Sequence, residues 1–188
     1  RIDNLTNYPQ LKPWIGERSH WESILNLGAG ETKVLGGQKR ILGRFLFSCH
    51  IRDFLTRLNQ KMSRLREGVN ARTTVHIFAG LAGGTGSGCL IDVIAQIRSN
   101  YPKEDCRILV YALLPERYPK AGWKKANYHA NGYAALSELN ALSVGAYRPH
   151  DLNGQGQRLG NLSGPFQGCY VISNENNDST QFDVQVEL

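Results

Sequence analysis

The chain has 188 residues, 41% of them hydrophobic, which is enough for a full core, and a formal net charge of +6. No apolar run approaches the ~20 residues of a membrane-spanning helix, and no charged-then-apolar leader opens the sequence. The four cysteines, Cys49, Cys89, Cys106 and Cys169, form no Cys-x-x-Cys pair, and the five histidines lack metal-ligand spacing. These counts predict no metal cluster and read as buried free thiols, as in a reducing cytoplasm. The basic balance predicts an anionic partner: a nucleotide phosphate, a nucleic acid or an acidic protein face.

The whole chain, 1–188, reads as a single domain. Residues 1–27 carry Trp14, Ile15, Trp21, Ile24 and Leu25, a packed helical or irregular lead-in, with no strand that runs into a glycine turn. Residues 28–44, from Gly28-Ala29-Gly30 to Arg44, read as a Gly-rich basic loop with Lys33, Lys39, Arg40 and Arg44. Over 45–69, Ile51, Phe54, Leu55, Leu58, Met62, Leu65 and Val69 keep three-to-four spacing, which predicts one long helix. Arg52, Arg57, Lys61, Arg64 and Arg66 fall mostly off that stripe and read as a solvated face. No aromatic platform is interleaved with them, so nucleic acid is the less favoured partner.

The chain is organised around Ala82-Gly83-Gly84-Thr85-Gly86-Ser87-Gly88. Val75 to Leu81 precede it as a short apolar run, read as a strand buried on both faces. Leu90, Val93, Ile94 and Ile97 follow at helical spacing. The segment between is therefore a strand-to-helix turn. Such a turn suits a phosphate: glycines let the backbone approach, the first helical N–H groups lack internal partners, and the helix dipole favours negative charge. Thr85 and Ser87 add hydroxyl donors, and Gly84 reads as the glycine whose open backbone the ligand needs. Three known glycine motifs do not fit. Walker A needs Lys after its last glycine, where Cys89 stands. Gly-x-Gly-x-x-Gly fails at its third position, and a nucleophile elbow would need Ser where Thr85 stands.

Arg107 to Leu114 form a second buried run that ends at Pro115, so 75–114 reads as a parallel, right-handed β-α-β unit. Ligands of such sheets sit beyond the carboxyl ends of the strands. Glu116 to Tyr128 read as a loop over that edge. Asn131 to Leu142 carry Ala135, Leu136, Leu139 and Leu142 on one helix face, with Asn131 able to serve as its N-cap. Residues 145–167, rich in Gly, Asn and Pro, read as a long surface loop. Cys169-Tyr170-Val171-Ile172 is a third short strand, read as buried, followed by Ser173-Asn174-Glu175.

Ala82 to Gly88 match the tubulin signature, and the segment also resembles the loop of the bacterial division GTPase FtsZ. Ile97-Arg98-Ser99-Asn100-Tyr101-Pro102 is similar to the end of the tubulin helix after that loop. The style of the sequence is closer to bacterial tubulin-like proteins than to eukaryotic tubulin. The resemblance covers about 28–177. It implies an α/β fold, a three-layer, mostly parallel sheet with flanking helices. It also implies a guanine-nucleotide site for GTP or GDP with Mg²⁺, and head-to-tail assembly of subunits into filaments with the nucleotide between them.

Residue by residue, Gly28, Ala29 and Gly30 resemble the loop that senses the γ-phosphate. Ala82, Gly83, Gly84, Thr85, Gly86, Ser87 and Gly88 correspond to the phosphate turn, and Glu116 resembles a sugar-contacting acid. Asn131 resembles a guanine-contacting Asn, with Asn127 a second candidate. Tyr170-Val171-Ile172-Ser173-Asn174-Glu175 is similar to Tyr-Cys-Ile-Asp-Asn-Glu, which implies base stacking by Tyr170 and base pairing by Asn174. Ser173 departs from the Asp of that pattern. In the family, an opening strand and glycine turn hold the α- and β-phosphates, and an acidic loop from the neighbouring subunit completes hydrolysis. Neither is recognised in this sequence, so turnover by these residues alone is not expected. Asp92, one turn into its helix, is expected to face solvent or a subunit contact. The competing class is a tubulin-like scaffold without turnover, or a module for protein or nucleic acid.

Overall fold

A computed structural model describes residues 8–15, 38–68, 72–119 and 127–175. After a single turn of 3₁₀ helix at Pro9–Leu11, the elements are α1 (Lys12–Ile15), α2 (Arg40–Cys49), α3 (Ile51–Arg66), β1 (Thr73–Gly80), α4 (Gly84–Asn100), β2 (Cys106–Leu113), α5 (Tyr128–Ser143) and β3 (Gly168–Ile172). The strands form one parallel sheet in the order β1-β2-β3. The β-α-β unit of the sequence is present, as an α/β fold with flanking helices. Gly80 pairs with Leu113, and Leu113 with Ile172, so the three carboxyl ends are level.

One sheet face is packed. Ala79 from β1 and Cys106, Ile108, Val110 and Ala112 from β2 meet Leu90, Ile91, Ile94 and Ile97 of α4 and Ala135, Leu139 and Leu142 of α5. Burying each large aliphatic side chain there contributes ~1.5–3 kcal/mol. The other face departs from the sequence reading. Phe78 is 70% exposed and Tyr170 55% exposed. Phe78 and Tyr111 stack at 4.5 Å, and Tyr111 and Tyr170 at 5.2 Å. Neither β1 nor β3 is thus buried on both faces, and Cys169 on β3 is an exposed thiol. An apolar run is compatible with an uncovered aromatic face, because periodicity reports side-chain type and not what lies opposite.

The single helix expected over 45–69 is two helices. α2 begins earlier, at Arg40, so Arg40 to Arg44 are helical instead of loop, and the chain breaks at His50, whose φ of −107° and ψ of 15° leave the helical region. α5 also starts earlier, at Tyr128. Asn131 therefore lies a turn inside the helix, and Asn127 holds the N-cap position without a side-chain cap bond.

The segment between α5 and β3 is fastened down. Arg98, 5% exposed, donates to the carbonyls of Tyr101 (3.1 Å), Cys106 (2.9 Å) and Pro165 (3.3 Å) and to Gln167 Oε1 (3.0 Å). Gln167 Oε1 also accepts from the Ile108 amide at 2.7 Å, which sets where β3 enters the sheet. Leu152 is fully buried against Ile51 and Leu55.

His150 lies in the same segment, 8% exposed. No described residue bonds its Nδ1. Burial pulls its pKa below the ordinary 6.5, and the charges of Arg158 and Arg44 act the same way. The folded chain therefore holds this ring neutral while the unfolded chain protonates it. The contribution is complete above pH 6.5 and is lost as pH falls through the lower folded value. Melting midpoints should fall from neutral pH to about pH 5, and His150→Gln should flatten that slope. An equal slope in the variant would assign it to other groups.

Candidate functional site

The signature turn joins β1 to α4 at the carboxyl edge of the sheet. Gly83 is the N-cap of α4, with φ −80° and ψ 166°, and no side chain caps the helix. Its first N–H groups are thus left for a ligand or water. Nothing lies within 4 Å of where a Cβ on Gly83 would stand.

The other glycines have a different job. A Cβ on Gly84 would sit 2.6 Å from the Lys39 carbonyl oxygen. One on Gly86 would press on the Gly80 backbone. One on Gly88 would overlap the Arg40 carbonyl oxygen and lie 3.0 Å from its carbon. On the facing helix, a Cβ on Gly43 would lie 2.7 Å from Thr85 Cα. Gly84 and Gly88, one turn apart, thus let α4 run against the backbone of α2. None of the turn's glycines has positive φ. This corrects the reading of Gly84, whose missing side chain makes room for Lys39.

The hydroxyls divide likewise. Thr85 is exposed, whereas Ser87 is 1% exposed and its hydroxyl donates to the Gly83 carbonyl. With its hydroxyl paired and almost no accessible surface, Ser87 serves the turn itself and has no free side-chain donor for a ligand. Asn131, 4% exposed, donates from Nδ2 to the carbonyls of Ala82 at 2.9 Å and Gln38 at 2.8 Å. Both amide hydrogens are spent, which leaves Oδ1 as the atom with which Asn131 could meet a base. The residue ties the turn to the end of the Gly-rich segment. Gly132 lets α5 sit on Pro115, where a Cβ would be 2.7 Å from the ring Cδ.

Two ion pairs brace the helices beneath the turn. Arg40 donates to the Ser87 carbonyl at 2.8 Å and holds the Glu138 carboxylate of α5 with both Nη groups. Arg44 grips Asp92 with bonds of 2.7 and 3.1 Å. Asp92 is 2% exposed. Burial pushes its carboxyl upward and the Arg44 guanidinium pulls it back. Its expected place at solvent or a subunit contact is therefore overturned: it lies inside the α2–α4 contact. Arg40, Arg44, Asp92 and Glu138 line a cavity of about 290 Å³ with Trp14 and Tyr147. Sequence reading missed these pairs. The available signal was spacing: Arg40 and Arg44 stand four apart on one helix, as Gly88 and Asp92 do on the next.

Of the remaining candidates, Glu116 lies just past β2, its carbonyl accepting from His129 Nε2 at 2.9 Å. Asn174 lies just past β3, and the Ile172 carbonyl accepts from Leu114 N at 2.8 Å, so both sit at the same edge as the turn. Tyr170 stands before that edge on the same strand. It lies two residues back, on the open sheet face, stacked on Tyr111. Gly28, Ala29 and Gly30 lie outside the described residues. Among the described residues no three acidic, His or Cys side chains gather as a metal site, and no helix is long and apolar enough to cross a membrane.

A family model described as "Tubulin like" matches residues 1–187. No curated protein matches the chain.

Proposed function

We propose that this chain, which belongs to the tubulin-like family, binds a guanine nucleotide at the carboxyl edge of its sheet, with the phosphates on the signature turn. The observation that carries this reading is the uncapped start of α4 at Gly83–Gly84, with open space over Gly83. Backbone N–H groups at a helix N-terminus complement phosphate oxygens without a lysine. Thr85 supplies a further donor from its exposed hydroxyl. Glu116 would meet the sugar, and Asn174 the base, with Asn131 holding the turn and turning only Oδ1 toward a ligand. Mg²⁺ arrives with the triphosphate and is held mainly by phosphate oxygens and water, its usual habit in such sites.

Hydrolysis asks for an aligned water and a group to orient it. Asp92 is spent on Arg44 and Glu138 on Arg40. That favours a water-orienting acid supplied by a neighbouring subunit, with the nucleotide buried between copies stacked head to tail. The first test is a competition titration with Mg²⁺ present. GTP should displace a bound fluorescent GTP analogue with at least about tenfold greater affinity than ATP, because the wrong base leaves buried polar groups unpaired at ~1–3 kcal/mol each. Equal displacement by ATP would remove the guanine assignment.

A further inference from the structure

α3 carries two kinds of cation. Its inner side buries Ile51, Leu55 and Met62. Arg66 continues that side and donates to Thr73 Oγ1 at 3.3 Å and to the Asp105 carbonyl at 2.7 Å, which fixes the end of α3 at the amino end of the sheet. Arg57, Lys61 and Arg64 stand on the outer side at intervals of four and three residues, so they share one face over a length of about 10 Å. All three are exposed. Among the described residues no carboxylate pairs with any of them. The signature turn lies elsewhere, at the carboxyl edge of the sheet.

The stability of the helix does not explain this row. Like charges one turn apart weaken a helix, and Arg57, Lys61 and Arg64 make two such neighbouring pairs. The helix dipole accounts for Arg64 in the last turn, but not for Arg57 and Lys61 further in. Asp53 stands one turn before Arg57, where it could offset the row, yet its carboxylate lies 3.6 Å from His50 Nδ1. Leu65, 67% exposed, flanks Lys61 along the same face. A phosphate backbone makes no use of that side chain, whereas a protein segment can cover it while its carboxylates meet the cations. A second copy of this chain is a poor occupant, because 22 Lys and Arg against 16 Asp and Glu make the copies repel. We propose that the outer face of α3 docks an acidic amphipathic helix of another protein. Its carboxylates, three and four residues apart, meet Arg57, Lys61 and Arg64, and its apolar side covers Leu65. The face and the nucleotide edge are separate, so this docking stands or falls independently of nucleotide binding.

The probe is a fluorescently labelled helical peptide with glutamates at that spacing and leucines on the adjoining side. A peptide with glutamine at the same positions is its control, and a labelled DNA duplex is titrated beside it. Anisotropy titrations use the whole chain, with melting curves of every variant. The wild type should bind the glutamate peptide at least about tenfold more tightly than the glutamine peptide, and added salt should narrow that gap. Lys61→Glu, at the centre of the row, should lose most of the preference. Arg52→Glu makes the same change of net charge on another exposed side of α3 and should keep it. Both variants should melt like the wild type, since the side chains are exposed. A wild type that binds the two peptides equally would overturn the proposal. So would equal losses in Lys61→Glu and Arg52→Glu, which would assign the binding to net charge alone. A duplex bound more tightly than the glutamate peptide, and released by Lys61→Glu, would overturn the choice of a protein partner.

Discussion

Gly88→Val is expected to destabilise the protein by about 3 kcal/mol, at the upper end for overpacking. At this chain length that corresponds to a melting midpoint lower by ~6–12 °C. The obstacle is backbone: a Cβ at Gly88 meets the Arg40 carbonyl, and no rotamer change relieves it. α2 has to move away from α4. That movement draws the Arg40 guanidinium off the Ser87 carbonyl and Glu138, and Arg44 off Asp92. A buried carboxylate separated from its cation is among the costlier defects in a fold. Gly160→Val is the control, since nothing lies within 4 Å of its Cβ position, and it should change stability by less than about 0.5 kcal/mol. Thermal melts followed by circular dichroism check both. Equal midpoints for the two variants would mean that the signature glycines are not packing residues.

The signature therefore holds two requirements in one short string, and this explains what could be read from sequence and what could not. The strand, turn and helix were legible because each has its own periodicity and the glycines interrupt both. That Gly84 and Gly88 serve a helix contact was not legible, because their partners, Lys39 and Arg40, lie more than forty residues earlier and touch them through carbonyls common to every residue. Asp92 failed for a related reason. It stands off the stripe of Leu90, Val93, Ile94 and Ile97, which in an isolated helix means solvent. α2 covers that flank and brings Arg44 to it. The break at His50 was hidden because the apolar stripes of α2 and α3 continue nearly in phase across it. The open aromatic face was hidden because Phe78, Tyr111 and Tyr170 look like core residues in any window of sequence. The level carboxyl edge, by contrast, followed directly from parallel pairing, and it places the turn, Glu116 and Asn174 together.

Gly83 is the counterpart to Gly88, and the contrast between them bears on the central claim, that the turn holds phosphate through its backbone. Gly83 already has extended φ and ψ, a conformation that a β-branched residue favours. Its Cβ position is open, so valine there should cost only the ~1 kcal/mol of a poorer N-cap, a midpoint lower by no more than about 4 °C. The same side chain would stand where a phosphate must approach the first N–H groups of α4. Losing two charge-assisted N–H bonds, ~1.5–3 kcal/mol each, lowers affinity by at least about hundredfold. The most direct measurement is an equilibrium titration of GTP and Mg²⁺ against the wild type and Gly83→Val, with melts of both. The account predicts saturable binding to the wild type, an affinity at least about hundredfold weaker in Gly83→Val, and melting midpoints within about 4 °C of each other. A folded Gly83→Val protein that binds GTP as tightly as the wild type would contradict it.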